Sequence, residues 1–225
     1  MLDLRSVDAS IGAIPILRGI TFSVDPAETV ALVGRNGAGK TTLLRTIMGF
    51  TASRGTLRFQ GADLAAVAPH LRPGLGIGYA PEDRRLFSRF TITENILLPA
   101  RVARLDEAET RRRLDRIYQV MPELETLGPR PAGSVSGGQG KMVALGRALM
   151  LSTRLLMLDE PFQGLAPVLA GRYAEALGRL REIDPTLAII ITESNPELLD
   201  SFASRVITVE RGQIDSDITK ERVAA

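Results

Sequence analysis

Eight consecutive residues, Gly34-Arg35-Asn36-Gly37-Ala38-Gly39-Lys40-Thr41, follow the spacing G-x-x-x-x-G-K-[ST]. The glycines let the backbone curl until successive N–H groups point at a polyphosphate. Lys40 adds a point charge for the β- and γ-phosphates, and the Thr41 hydroxyl is a ligand for Mg²⁺. The run follows an apolar stretch, Thr29–Val33, and leads into the helix-like Thr42–Met48. Phosphate would then rest at a helix N-terminus, where unpaired N–H groups and the helix dipole favour anions. The implied ligand is a nucleoside triphosphate held along Gly34, Asn36, Gly37, Ala38, Gly39, Lys40, Thr41 and Thr42.

A phosphate loop binds but does not hydrolyse. The apolar run Leu155–Leu158 ends in Asp159-Glu160-Pro161, a pair of carboxylates at a strand tip. Asp159 suits the metal that Thr41 also ligates. Glu160, one residue on, suits a water in line with the γ-phosphate, as general base or water-positioner. A third element is Val135-Ser136-Gly137-Gly138-Gln139 ahead of the helical Lys141–Leu149. Ser136 is a good N-cap, and Gly137 and Gly138 leave N–H groups bare at a helix start. One γ-phosphate does not need two such cradles from the same chain, so the second points to a nucleotide bound by a partner molecule.

These groups need elements to hold them. Short strands are expected at Leu2–Val7, Ile20–Val24, Thr29–Val33 and Thr56–Gln60, with turns at Asp25–Glu28 and Ser53–Gly55. From about Thr91 to Ala148 the pattern is helical. Leu114, Ile117, Tyr118 and Met121 recur at i, i+3, i+4 and i+7 within Asp106–Met121, and Arg111-Arg112-Arg113 reads as a solvated face. Then strands at Leu155–Leu158, Leu187–Thr192 and Arg205–Val209 alternate with helices at Pro167–Ile183 and Pro196–Phe202. That order predicts an α/β fold: a mostly parallel sheet flanked by helices, ligands at the strands' carboxyl ends, and the middle block as a helical insertion. The spaced glycines Gly74, Gly76 and Gly78 precede a strand instead of joining strand to helix, and read as turn chemistry.

Composition narrows the classes. The chain has 225 residues, 44% hydrophobic and 24% charged, as in ordinary globular proteins. A net charge of +2 and 4% aromatic residues give no nucleic-acid signature. The absence of cysteine excludes disulfides, thiolate metal sites and cysteine nucleophiles. Met1–Arg5 lacks the apolar core of a signal peptide, and apolar runs such as Leu187–Ile191 are too short to cross a bilayer. Work at a membrane would go through other subunits. The single histidine, His70, is assigned a surface or loop role.

Taken in order, GRNGAGKTT, VSGGQ and LLMLDEP resemble the motifs of the ATP-binding cassette (ABC) ATPases, and the likeness runs from Leu2 to Asp215. It implies the P-loop NTPase fold in one domain over 1–225: a core of 1–83 and 150–225 with an antiparallel N-terminal part, and a helical subdomain over about 84–149. It implies ATP and Mg²⁺, with a head-to-tail pair in which one subunit's phosphate loop faces the other's Ser136-Gly137-Gly138-Gln139. The second ABC subunit is identical or different. Tyr79–Phe87 with Thr93–Ile96 looks like the loop that senses nucleotide and contacts membrane subunits. PEDRRLFSRFTITENI and DEPFQGLAPVL look most like the ATPase subunits of branched-chain amino acid importers, with lipid- and urea-transport ATPases similar here. The expectations are therefore permease partners, a solute-binding protein acting indirectly, no nucleic acid, and a peripheral place on the cytoplasmic face of the membrane. A soluble ABC protein or a low-turnover nucleotide clamp is the alternative.

Three positions depart from the family pattern. Ile11 stands where an aromatic residue usually stacks on adenine. Glu82 replaces the usual glutamine and keeps a carboxylate available to Mg²⁺. Ser194 occupies the place of a histidine that contacts the γ-phosphate, so slower hydrolysis resting on Glu160 is expected.

Overall fold

The structure is a computed structural model that describes residues 1–199 and 202–220. The chain opens with a hairpin, β1 (Leu2–Ile11) and β2 (Ile14–Val24), followed by β3 (Thr29–Val33), helix α1 (Lys40–Ile47), β4 (Ser53–Phe59) and β5 (Ala62–Asp63). A 3-10 stretch at Pro69–Leu75 precedes β6 (Ile77–Ala80). Helices α2 (Ile92–Val102), α3 (Glu107–Val120), α4 (Glu123–Leu127) and α5 (Gly137–Leu149) follow. Then come β7 (Leu155–Asp159), α6 (Pro167–Ile183), β8 (Ala188–Glu193), β9 (Arg205–Glu210) and β10 (Gln213–Thr219). Contacts divide the chain into two compact units, Met1–Leu75 with Ala188–Ala225, and Gly76–Leu187. The second unit is wider than the expected insertion at 84–149, because β6, β7 and α6 group with the helices.

In the first unit, β2-β1-β4-β5 form an antiparallel sheet. Leu2, Leu4, Val7 and Ala9 of β1 are buried. The spacing slips by one between Leu4 and Val7, where a register shift and a left-handed Ser6 (φ 47°) mark a bulge. β3 is buried at every residue and pairs in parallel with both β8 and β9, as an apolar run without alternation requires. Arg72 holds the far end of α1. Its guanidinium donates to the carbonyls of Thr46 (3.0 Å), Ile47 (2.6 Å), Leu64 (2.7 Å) and Val67 (3.1 Å). Gly49 leaves the room, since a Cβ there would lie 2.7 Å from the guanidinium carbon.

In the second unit β6 and β7 run parallel. The helix expected over Asp106–Met121 is α3, capped by Asp106, whose side chain accepts from the Glu109 N–H at 2.8 Å. Ile117, Val120 and Met121 are buried, while Leu114 and Tyr118 are half-buried. Arg111 and Arg112 form the exposed face and pair with Asp115 and Glu109. Arg113 instead turns inward to the Met150 carbonyl (2.9 Å).

Three readings need amending. β10 was not expected: its exposed, acid-bearing alternation resembles a loop, and it is an edge strand paired only with β9. Gly78 lies inside β6 and is no turn residue. A Cβ there would collide with the Ser152 hydroxyl and the Ala148 carbonyl. The helix expected over Pro196–Phe202 is a 3-10 turn at Pro196–Leu199, and positions 200 and 201 lie outside the described residues. His70 is exposed within the 3-10 stretch, in keeping with its surface role.

Candidate nucleotide site

The sequence-expected residues fall in both units. In the first, β3 delivers the chain to Gly34 and α1 starts at Lys40. Gly37 (φ 81°) and Gly39 (φ 114°) take backbone that other residues rarely adopt. Gly39 caps α1 with no side-chain hydrogen bond, and no acid lies in the first turn. Lys40 is 3% exposed, and its ammonium donates to the carbonyls of Gly34 (2.7 Å) and Arg35 (3.3 Å). The charge thus lies folded along the loop that it would serve. Thr41 is half-buried and Thr42 buried. A cleft of about 710 Å³ flanks the loop, lined by Gly34–Ala38 and by Thr208–Arg211.

A residue that motif reading missed supports this loop from below. The N–H of Gly212 donates to the Ala38 carbonyl (2.8 Å), and its own carbonyl accepts from the Arg18 N–H (2.8 Å). Gly212 is left-handed (φ 79°), and a Cβ there would collide with the Ile16 carbonyl. Gly34 is pressed in the same way against the Val209 carbonyl. The turn between β9 and β10 is therefore a backbone floor for the phosphate loop. A glycine after a strand was the only signal in the sequence.

Ile11 ends β1 opposite Ile14 and is 56% exposed. Its neighbours Ser10 and Gly12 line a second cleft of about 570 Å³. Ser194 follows β8, and its hydroxyl donates to the Asn36 side-chain carbonyl at 2.8 Å. The first unit thus brings Ser194 to the phosphate loop.

In the second unit, β7 ends in the buried pair Asp159 and Glu160, 2% and 5% exposed. The Tyr79 hydroxyl on β6 donates to Asp159 at 3.0 Å. Glu160 is left-handed (φ 44°), a conformation that costs a non-glycine residue about 1–3 kcal/mol. Lys141 of α5 holds the turn by donating to the carbonyls of Glu160 (2.6 Å) and Gln163 (2.7 Å). Glu82 lies within the field of this pair. Partial desolvation raises its pKa above the usual carboxylate range, and Glu160 and Asp159 add to the rise, while Lys141 offsets it.

Among the described residues no group of three His, Cys, Asp or Glu could cage a metal. Mg²⁺ needs no such cage, since it keeps waters and phosphate oxygens and takes only one or two protein carboxylates.

The start of α5 is closed on itself. The Ser136 hydroxyl accepts from the Gln139 N–H (3.2 Å), and the Gln139 side chain accepts from the Ser136 N–H (3.1 Å). This reciprocal box satisfies two of the orphan donors. Gly138 packs under Leu169, whose terminal methyl would have to move aside for a Cβ there.

A family model for the ABC transporter matches residues 17–163, more than half of the sequence. The chain belongs to the ABC transporter family. It is 34% identical over 215 residues to the high-affinity branched-chain amino acid transport ATP-binding protein BraG of Pseudomonas aeruginosa, covering 95% of this chain and 91% of that one. It is also 34% identical to the probable branched-chain amino acid transport ATP-binding protein LivF of Archaeoglobus fulgidus, covering 95% and 90%. A sulfate/thiosulfate import ATP-binding protein, CysA of Methylococcus capsulatus, is 34% identical, but this chain spans 62% of its length. Among solved structures, an ATP-binding subunit of an ABC transporter superposes with a TM-score of 0.85 at 29% identity, covering 97% of this chain and 90% of that one. This ABC cassette is thus an ATP-binding, ATP-hydrolysing protein with the P-loop α/β fold expected from its sequence.

Proposed function

We propose that this ABC ATPase is the ATP-hydrolysing subunit of a membrane importer for branched-chain or other hydrophobic amino acids. The match in length supports the substrate class. BraG and LivF are covered over 90% or more of their length, whereas the sulfate and iron proteins extend well beyond the cassette. On this reading transmembrane permeases are its direct partners, a solute-binding protein acts through them, and a second ABC subunit completes the working pair at the cytoplasmic face. No helix among the described residues is long and apolar enough to cross a membrane, so the permeases would supply the path.

The chemistry follows from the residues. Gly34–Thr42 hold the triphosphate, with Lys40 exchanging its loop carbonyls for the β- and γ-phosphates. Thr41, Asp159 and Glu82 are assigned to Mg²⁺, which when bound would neutralise charge on the β- and γ-oxygens. Glu160 takes a proton from the attacking water, the new oxygen–phosphorus bond forms, and the bond to ADP breaks. Ser136–Gln139 are assigned to the nucleotide of the other subunit, and Ile11 to apolar contact with adenine.

The observation that carries the hydrolytic reading is Glu160, buried in a strained turn whose carbonyls are pinned by Lys141. In the purified complex, Glu160→Gln should cut phosphate release by about 10²–10⁴ while MgATP binding persists. Unchanged turnover would remove Glu160 from the reaction. One observation favours the slower clamp reading: Ser194 bonds to Asn36 and is shorter than the histidine it replaces. A turnover that stays minimal when permeases and amino acid are supplied would decide for the clamp.

A further inference from the structure

We propose that Arg84 is a positioning residue whose side chain straps the loop carrying Glu82 onto the start of α5, so that this loop and Ser136–Gln139 keep one shared geometry. Its kinetic consequence rests on the function proposed above. The strap itself stands on contacts within Gly76–Leu187 alone.

After Pro81 the chain turns through two consecutive left-handed residues, Arg84 (φ 61°) and Arg85 (φ 49°). L-residues avoid this region, and a pair of them persists only where the surroundings over-determine the backbone. Local bonds form part of that frame: the Arg84 N–H donates to the Pro81 carbonyl (3.1 Å), and the Arg85 N–H to the Asp83 carbonyl (2.6 Å). The decisive part comes from α5. Arg147, in the last turn of that helix, donates to the Arg85 carbonyl (2.6 Å) and, through its second nitrogen, to the Arg84 carbonyl. The strained turn thus has its two carbonyls aimed at one guanidinium.

The Arg84 side chain closes the second end. It runs along α5 toward the helix start, and its Nη1 donates to the Gly137 carbonyl at 3.2 Å. Gly140 gives it passage. A Cβ there would stand 3.1 Å from the Arg84 Cδ and 3.2 Å from Nη1, closer than side chains normally pack. Gly137 lies one turn earlier on the same face, where a Cβ would be 3.5 Å from Nη1. Glycine inside a helix is unfavourable for the helix alone, and a crossing side chain gives Gly140 a reason to be there. Charge pairing does not explain the placement, since Arg84 sits beside the positive end of the α5 dipole, where cations are disfavoured. The contacts therefore read as mechanical: Arg147 fixes the loop backbone to the last turn of α5, and Arg84 fixes it to the beginning.

The test is amide hydrogen exchange on the full chain, comparing Arg84→Ala, Arg84→Lys and Gly140→Ala with the parent. Arg84→Ala should speed exchange at least about tenfold in both 82–87 and 136–141, leaving β6 and β7 protected. Gly140→Ala, which only presses the stem aside, should give a smaller rise in the same two segments. Arg84→Lys should recover part of the protection. Faster exchange in the loop alone, or in neither segment, overturns the strap. MgATP kinetics add a second arm: Glu82→Gln should change turnover less in the Arg84→Ala background than in the parent. Equal changes in both backgrounds would refute the coupling. If the parent hydrolyses no ATP, the proposed function fails while the exchange result still decides the strap.

Discussion

The helix starts of this cassette fall into two kinds. α2 carries Glu94 in its first turn, α3 carries Glu107 and Glu109, and α4 carries Glu123 and Glu125. Acids there complement the positive end of the helix dipole. α1, α5 and α6 have no acid in the first turn; α6 opens on a proline, and the other two are the starts assigned to phosphate. Leaving that end uncompensated sacrifices a little helix stability and keeps the site open to an anion. The two differ in readiness. α1 begins at an uncapped left-handed glycine with Lys40 alongside, whereas the donors at α5 are partly satisfied by Ser136 and Gln139. On the proposed function, the phosphate loop would receive nucleotide directly, and the α5 start would have to share or release its box.

The largest consequence concerns α1. Lys40→Ala removes the cation at its start, and MgATP turnover should fall by about 10²–10³; near-parental rates would mean that the loop cradles phosphate without the ammonium. Next, Gly137→Asp gives α5 the acid that α2–α4 possess. It should stabilise the helix by about 0.5 kcal/mol yet lower turnover by about tenfold, or roughly 1.4 kcal/mol in barrier. A thermal melt read beside a phosphate-release assay separates these opposite signs, and a variant that gains or loses both together would refute the anion role.

Ser136→Ala opens the box and should cost about 1 kcal/mol of stability, measurable as a shift in denaturant midpoint. No shift would mean that Gln139 closes the helix unaided.

The smallest effect is at α3. Hydrogen bonds from Arg112 and Arg113 hold Glu109 down to about 2 from an ordinary 4.5. A depressed carboxylate contributes stability that is fully present above about 4.5 and is lost as pH falls from there through 2. The pair is partly exposed, so the contribution stays below about 1 kcal/mol. Melting temperatures at pH 6 and pH 3 should therefore converge slightly in Glu109→Gln, and an unaltered difference would discount the pairing.

Much of this site was legible before any fold was known. Gly34–Thr41 announces itself because a polyphosphate dictates residue type at almost every position, and α3 because burial repeats with the helix turn. Ser136 was recognisable as a cap, since its partner Gln139 lies only three residues on. Lys141, Arg147, Arg84, Tyr79 and Gly212 were not legible as functional partners. Their bonds reach carbonyls or carboxylates that are distant in sequence, from side chains that equally suit a solvated surface or, at Gly212, from the backbone. Gly78 and Gly140 were opaque for the same reason, being small because something else passes close by.

The order of motifs by itself determined the family and the α/β class, and it suggested the chemistry assigned to the loop and the carboxylate pair. These depend on local backbone freedom and on residue type, which a linear chain displays. Only the tertiary structure decided that Lys40 lies along its own loop, that Ser194 meets Asn36, and that α5 grips two separate turns through Lys141 and Arg147. Apart from Lys40 and its own loop, these contacts join groups far apart along the chain, and geometry enters only once the chain has folded.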